Sequence, residues 1–256
     1  VIGRPKSATF RTVDVVGLDT LVHVANGIYE NCPNDEAHEL FKLPDFINVM
    51  MKNNWLGSKT GQGFYKKTKD EKGATKILTL DLKSMEYKPK EKVKFPTLEL
   101  TKPIDKIRDR FKVLMGGKDK AGEFYRDSFY GIFQYISNRI PEVADQLYKV
   151  DDALCAGFGW EVGPFDTWDQ VGVAKSLAKM EKAGYKANQW VYDMVESGAE
   201  SFYTVEKGVK KYYDIQSKSY KEIPGKGQFI ILDNLRTNNV VWSNSGASIF
   251  DLGDGI

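Results

Sequence analysis

The stretch VDDALCAGFGWEVGPFDTWDQVG, residues 150–172, decides the fold. An apolar-periodic segment runs into three glycines and a proline, and a second amphipathic segment follows. Glycine tolerates positive φ, so this spacing predicts a helix ending near Gly157. Phe158 and Trp160 are expected to drop into the core on either side of the turn, Gly163 and Pro164 to tighten it, and FDTWDQVG to begin the next helix. Residues 3–20, GRPKSATFRTVDVVGLDT, echo the pattern. Phe10, Asp14 and Gly17 match Phe165, Asp169 and Gly172, each 155 positions on. A second pair of stretches, GQGFYKKTKDEKGATKILTLDLKSMEYKP (61–89) and AESFYTVEKGVKKYYDIQSKSYKEIP (199–224), aligns Phe64 with Phe202, 138 positions on. Two motifs in the same order, separated by a gap that differs in length, indicate an internal duplication.

Each copy reads as a helical body followed by a β-hairpin tail. In DTLVHVANGIYE, Leu21, Val24, Ala25 and Ile28 fall at i, i+3, i+4 and i+7, the spacing of one helix face. PDFINVMMKNNWLG repeats that logic through Phe46, Ile47, Met50 and Met51, with Gly57 in the place of a C-terminal cap. Phe129, Ile132, Phe133, Ile136 and Ile140 make a long stripe that Pro141 is expected to end. Helices are also expected over VADQLYKVDDALCA, TWDQVGVAKSLAKMEKAG and ANQWVYDMVESG. By contrast, KILTLDL and KKYYDIQ alternate with period two and read as half-buried strands.

Composition narrows the function classes. The 256 residues are 41% hydrophobic and 12% aromatic, enough for real cores. A formal net charge of +2 gives no nucleic-acid footprint across the whole molecule. Residues 65–120 are locally basic, with 17 Lys or Arg against 9 Asp or Glu. A solvated hairpin and linker is the first reading of that bias, and a surface that meets phosphates is the second. Cys32 and Cys155 lack CxxC spacing and read as reduced thiols of a cytoplasmic protein, with a disulfide as the alternative. No apolar run is long enough for a membrane span. The chain opens on Val1 inside a motif and closes on SIFDLGDGI, which reads as a strand still lacking a partner, so a fragment of something longer is expected.

The familiar chemical motifs fail on spacing. GFGWEVG is one residue too long for the dinucleotide fingerprint and follows a helix rather than a strand. GSKTGQG (57–63) and GGKDK (116–120) lack the order of a phosphate loop and read as turns. His23 and Glu30 share a helix face but stand about 10 Å apart along the axis, beyond direct hydrogen bonding. His23 is therefore expected to face solvent, as is His38 in CPNDEAHE. No metal-ligand cluster and no nucleophile–base arrangement can be drawn, so no catalytic residue is assigned.

The glycine-proline corner followed by Phe, Asp and Gly, together with the GSKTGQGFY turn, resembles the C-terminal helical domain of the NAD-dependent 3-hydroxyacyl-CoA dehydrogenases. The resemblance runs through both copies, to about residue 225, and implies a mainly α fold of two repeated helical domains like the 6-phosphogluconate dehydrogenase C-terminal domain, each with a β-hairpin tail. It implies a first domain at 1–92, N-terminally truncated, and a second at 93–225. Residues 226–256 look like a linker and the start of an enoyl-CoA hydratase-like domain. Members of the family oxidise L-3-hydroxyacyl-CoA to 3-ketoacyl-CoA in fatty-acid β-oxidation, passing hydride to NAD. The resemblance places NAD and the catalytic histidine on a Rossmann domain that these 256 residues do not include, which would leave the segment inactive alone. What carries over is the first-copy corner as the acyl-CoA-binding loop: Gly3, Arg4, Pro5, Lys6, Ser7 and Phe10. Ala8 and Thr9 stand there where the family has Gly-Pro. Dimer contacts are also implied, which the two copies in one chain would supply internally as a pseudo-dimer, with Phe10 and Val13, and Phe165 and Trp168, as contact points. Its partners would be the acyl-CoA substrate, the Rossmann and hydratase domains, and a second copy, with neither nucleic acid nor membrane. The rival reading is a non-catalytic acyl-CoA-binding or scaffold module.

Overall fold

A computed structural model of the protein describes residues 1–6, 8–226, 230–236, 239–244 and 246–253. It divides into two compact units, one of residues 5–94 and one of residues 1–4 with 95–256.

In the unit 5–94, α1 (Thr9–Val16), α2 (Leu18–Asn31) and α3 (Asp45–Lys52) precede an antiparallel sheet of β1 (Tyr65–Lys69), β2 (Thr75–Asp81) and β3 (Glu86–Pro89). Gly17 sits at φ 112°, which lets the chain turn between α1 and α2 through this one residue. Leu18, Ile47, Met50, Phe64 and Leu80 form its buried centre. The expected stripe on α2 is only partly inward. Ala25 is buried and Ile28 half-buried, whereas Leu21 and Val24 are exposed. The third helix also stops earlier than expected. Asn54, at φ 56°, closes it, with the Trp55 amide donating to the Met50 carbonyl at 2.9 Å. Asparagine tolerates this left-handed position almost as well as glycine does.

In the larger unit, α4 (Pro96–Thr101), α5 (Ile107–Gly116), α6 (Lys120–Asn138) and α7 (Leu147–Phe158) lead into the second copy. That copy comprises α8 (Pro164–Val171), α9 (Val173–Lys182), α10 (Gln189–Glu196) and the strands β4 (Tyr203–Glu206), β5 (Val209–Asp214) and β6 (Ser219–Glu222). The stripe on α6 packs as its spacing requires, with Phe129, Phe133 and Ile136 buried and the helix ending before Pro141. Phe133 stacks on Trp168 at 4.7 Å between ring centroids, and the Trp168 indole donates to Ser176 Oγ at 2.6 Å.

The repeat survives element by element. α1 and α8 have eight residues each, and both are followed by a positive-φ glycine. Each tail contains the expected hairpin but extends it by one strand, giving a three-stranded antiparallel meander. Toward the C-terminus, β7 (Val240–Ser243) pairs with β8 (Ser248–Phe250). The SIF strand therefore finds its partner inside the chain, contrary to expectation. Residues 254–256 lie outside the described residues.

Candidate functional site

The corners are built around carboxylates. In the first copy Asp14, buried on α1, accepts the Phe64 amide at 2.8 Å and the Tyr65 amide at 2.9 Å, tying the helix to the start of its sheet. In the second, Asp169 accepts the Phe202 and Tyr203 amides at 2.7 and 2.9 Å. One oxygen serves each amide, so both donors at the strand entry are satisfied by one side chain. A second latch also repeats. Tyr87 and Tyr220 each donate a hydroxyl, at 2.6 Å, to the carbonyls of Gly63 and Ser201 at the equivalent strand entry. The aspartates that mark the repeat in the sequence are therefore its structural fasteners.

The second corner carries one more carboxylate. Asp151 on α7 accepts the Phe165 and Asp166 amides at 2.8 and 2.9 Å and the Tyr203 hydroxyl at 3.0 Å. Gly163 is required here, because a Cβ would lie 2.7 Å from the Asp151 Cα. Burial pushes the Asp151 carboxyl up to about 7 and that of Asp169 up to about 8, against the pull of their N–H donors. Burial also raises the Tyr203 hydroxyl. Close by, Lys210 pairs with Asp166 at 2.9 Å. Asp151 and Tyr203 were not singled out in the sequence, since neither aspartate of VDDALC carries a spacing signal.

Two sequence expectations about the corners are corrected. The helix ends at Phe158, with Gly159 at φ 63° closing it, rather than at Gly157. Phe158 is 66% exposed and Trp160 half-buried, so neither fills the core. Phe165 and Trp168 are fully buried against Phe133 and Phe202 within the larger unit. Phe10, the match of Phe165, is by contrast 44% exposed and touches Phe64 at 4.5 Å between centroids. His38 also departs from expectation. Its ring stacks on Tyr29 at 4.1 Å and one ring nitrogen lies 3.2 Å from the Cys32 carbonyl, while His23 faces solvent.

The residues of the first corner divide between the two units. Gly3, at φ 64°, accepts the Glu161 amide at 2.7 Å, and the Arg4 guanidinium lies over the Trp160 ring at 3.7 Å, within the larger unit. Pro5, Lys6 and Phe10 belong to the unit 5–94, where Lys6 is exposed, and Ser7 lies outside the described residues. NAD does not fit the loops among the described residues. Every strand pair among the described residues is antiparallel, and the GFGWEVG turn holds the Asp151 carboxylate against Gly163, where a pyrophosphate would need to sit. Among the described residues there is no cluster of three metal-ligating side chains, and no helix is long and apolar enough to cross a membrane.

Comparison with known proteins places this architecture. Residues 2–67 match the 3-hydroxyacyl-CoA dehydrogenase, C-terminal domain. The chain matches the 3-hydroxyacyl-CoA dehydrogenase family in its C-terminal domain. All of it aligns, at 41% identity over 257 positions, with a "Probable 3-hydroxyacyl-CoA dehydrogenase" of Bacillus subtilis (strain 168), covering 32% of that protein. A 78-residue stretch is 47% identical to a protein of the same description from Deinococcus radiodurans, covering 30% of this chain and 22% of the relative. A "Fatty acid oxidation complex subunit alpha" of Psychrobacter sp. (strain PRwf-1) aligns at 30% identity over 75% of this chain and 24% of its own length. The chain thus spans about a third of the first of these family relatives and less of the others.

Proposed function

We propose that this chain is the C-terminal part of an NAD-dependent L-3-hydroxyacyl-CoA dehydrogenase acting in cytoplasmic fatty-acid β-oxidation. The observation that carries the reading is the alignment of the entire chain, both copies included, with a protein of that description. In this reading the dinucleotide-binding domain and the catalytic acid–base residues belong to other parts of the polypeptide. The chain divides functionally at 1–92, 93–225 and 226–256, the last leading into a hydratase-like domain. The loop Gly3, Arg4, Pro5, Lys6, Ser7 and Phe10 borders the acyl-CoA, and the exposed Phe10 face supports association with a second copy. Arg4 is stacked on Trp160 within the larger unit, and the exposed Lys6 ammonium of the unit 5–94 is the free charge for the substrate.

The test compares NAD reduction by the 256-residue chain with that by the complete reading frame, using L-3-hydroxybutyryl-CoA. The expected result is activity in the complete protein alone, with Lys6→Ala raising KM for the thioester more than it lowers kcat. Turnover by the isolated chain would overturn the division of labour, and an inactive complete protein would favour a scaffold.

A further inference from the structure

Within the unit 5–94 lies a cavity of about 470 Å³, lined by the start of α1, the 57–61 turn, strands β1 and β2 and Lys90 just after β3. Its size lies in the range of roughly 300–1,000 Å³ common to small-molecule sites. Four of its lining residues are cations: Lys6, Arg11, Lys67 and Lys90. One acidic residue, Asp14, lines it, and both its oxygens are already occupied by the Phe64 and Tyr65 amides. Among the described residues, Lys6, Lys67 and Lys90 have no ion-pair partner, and Arg11 makes one long contact, 3.4 Å, to Ser58 Oγ. Lys59, in the same turn, is committed elsewhere, pairing with Asp19 at 2.5 Å.

The second copy shows that the charge is not a by-product of the fold. The position matching Arg11 is Asp166, which Lys210 neutralises at 2.9 Å, and the position matching Lys67 is Val205. Tyr65 lines the cavity, and among the described residues its hydroxyl has no partner. Its match, Tyr203, donates to Asp151 at 3.0 Å. The first copy therefore holds open a space that the second fills with carboxylates. Four like charges around one concavity repel one another and focus a positive potential into it, which an anion relieves.

We infer that this cavity binds the phosphate groups of a phosphorylated small molecule of nucleotide size, with Arg11 and Lys67 gripping the anion and the exposed Ile77 and the Tyr65 ring forming an apolar wall. The inference stands on charge and shape and needs no dehydrogenase activity. The GSKTGQG turn contributes Gly57, Ser58 and Gly61 to the lining without being a phosphate loop.

Isothermal titration of the 256-residue chain with CoA, dephospho-CoA, ATP and pyrophosphate, at low and physiological salt, tests it. One site is expected, weakening as salt rises because surface charge is screened. Arg11→Asp, which copies the second repeat, and Lys67→Ala are each expected to weaken binding by about tenfold or more, charge-assisted contacts to phosphate being the strong ones. Both side chains are exposed, so the folded state is retained, as circular dichroism can verify. Tighter binding of CoA than of dephospho-CoA and ATP identifies the 3′-phosphate of a CoA compound as the source. ATP or pyrophosphate binding at least as tightly as CoA identifies a free polyphosphate. No heat with any of the four at low salt, or binding that both variants leave unchanged, overturns the proposal.

Discussion

At the scale of single residues, the two copies reuse one device, a helix aspartate that accepts two consecutive strand-entry amides. The device dictates where glycine is compulsory. A Cβ on Gly63 would strike the Asp14 carboxylate and come within 2.6 Å of the Gly57 Cα, and neither neighbour can retreat without breaking the latch. Gly63→Ala is therefore expected to destabilise the unit 5–94 by about 1–3 kcal/mol, the range for overpacking a filled site. Gly27, inside α2, has nothing within 4 Å of its missing Cβ. Gly27→Ala should instead stabilise by about 1 kcal/mol, because alanine gives up less backbone freedom in a helix. Urea unfolding followed by Trp55, the one tryptophan in this unit, reads both changes. Equal effects of the two substitutions would mean that the latch has slack. Sequence spacing identified Asp14 and Asp169 as repeat markers but gave no role, since the amides they accept lie 50 and 33 positions away.

At the scale of elements, the junction of α7 and α8 concentrates buried acid. Asp151 is held up at about 7 and Asp169 at about 8, so between about pH 4 and pH 8 the native protein binds more protons than the unfolded chain. Stability therefore declines as pH rises through that window. The contribution of these groups is complete below about pH 4 and is lost through pH 7–8. Urea midpoints of the larger unit at pH 5.5 and 8.5 should show the lower value at 8.5, and Asp151→Asn should shrink the difference; a midpoint rising with pH would refute the assignment. The order of helices and strands was legible in the sequence because period and glycine placement report local geometry. The interior of the corner was not. Phe158 reads as apolar and therefore inward, yet the Gly159 turn leaves it in solvent, while the polar Asp151 takes the buried position because three donors converge on it. Hydrophobicity alone cannot foresee a carboxylate that is solvated by its own backbone.

At the scale of the whole molecule, duplication has produced two unequal cores. The larger is a continuous cluster that includes Phe133, Phe165, Trp168 and Phe202, while that of 5–94 centres on Leu18, Ile47, Met50, Phe64 and Leu80. The candidate site was legible only as a loop, because nothing in GRPKSATF signals that Gly3 and Arg4 join one unit and Pro5 onward the other. Buried apolar area sets most of a unit's stability, so the smaller core should open more often. The two latches provide matched probes. The Phe64 and Tyr65 amides and the Phe202 and Tyr203 amides have matching carboxylate partners, Asp14 and Asp169, at nearly the same distances, so the geometry of the bonds does not separate them. Any difference must come from the opening of the unit that holds them. Hydrogen exchange is therefore expected to be at least about tenfold slower at Phe202 and Tyr203, a gap of about 1.4 kcal/mol in opening free energy. Equal rates at the two latches would show instead that both copies open in one cooperative step.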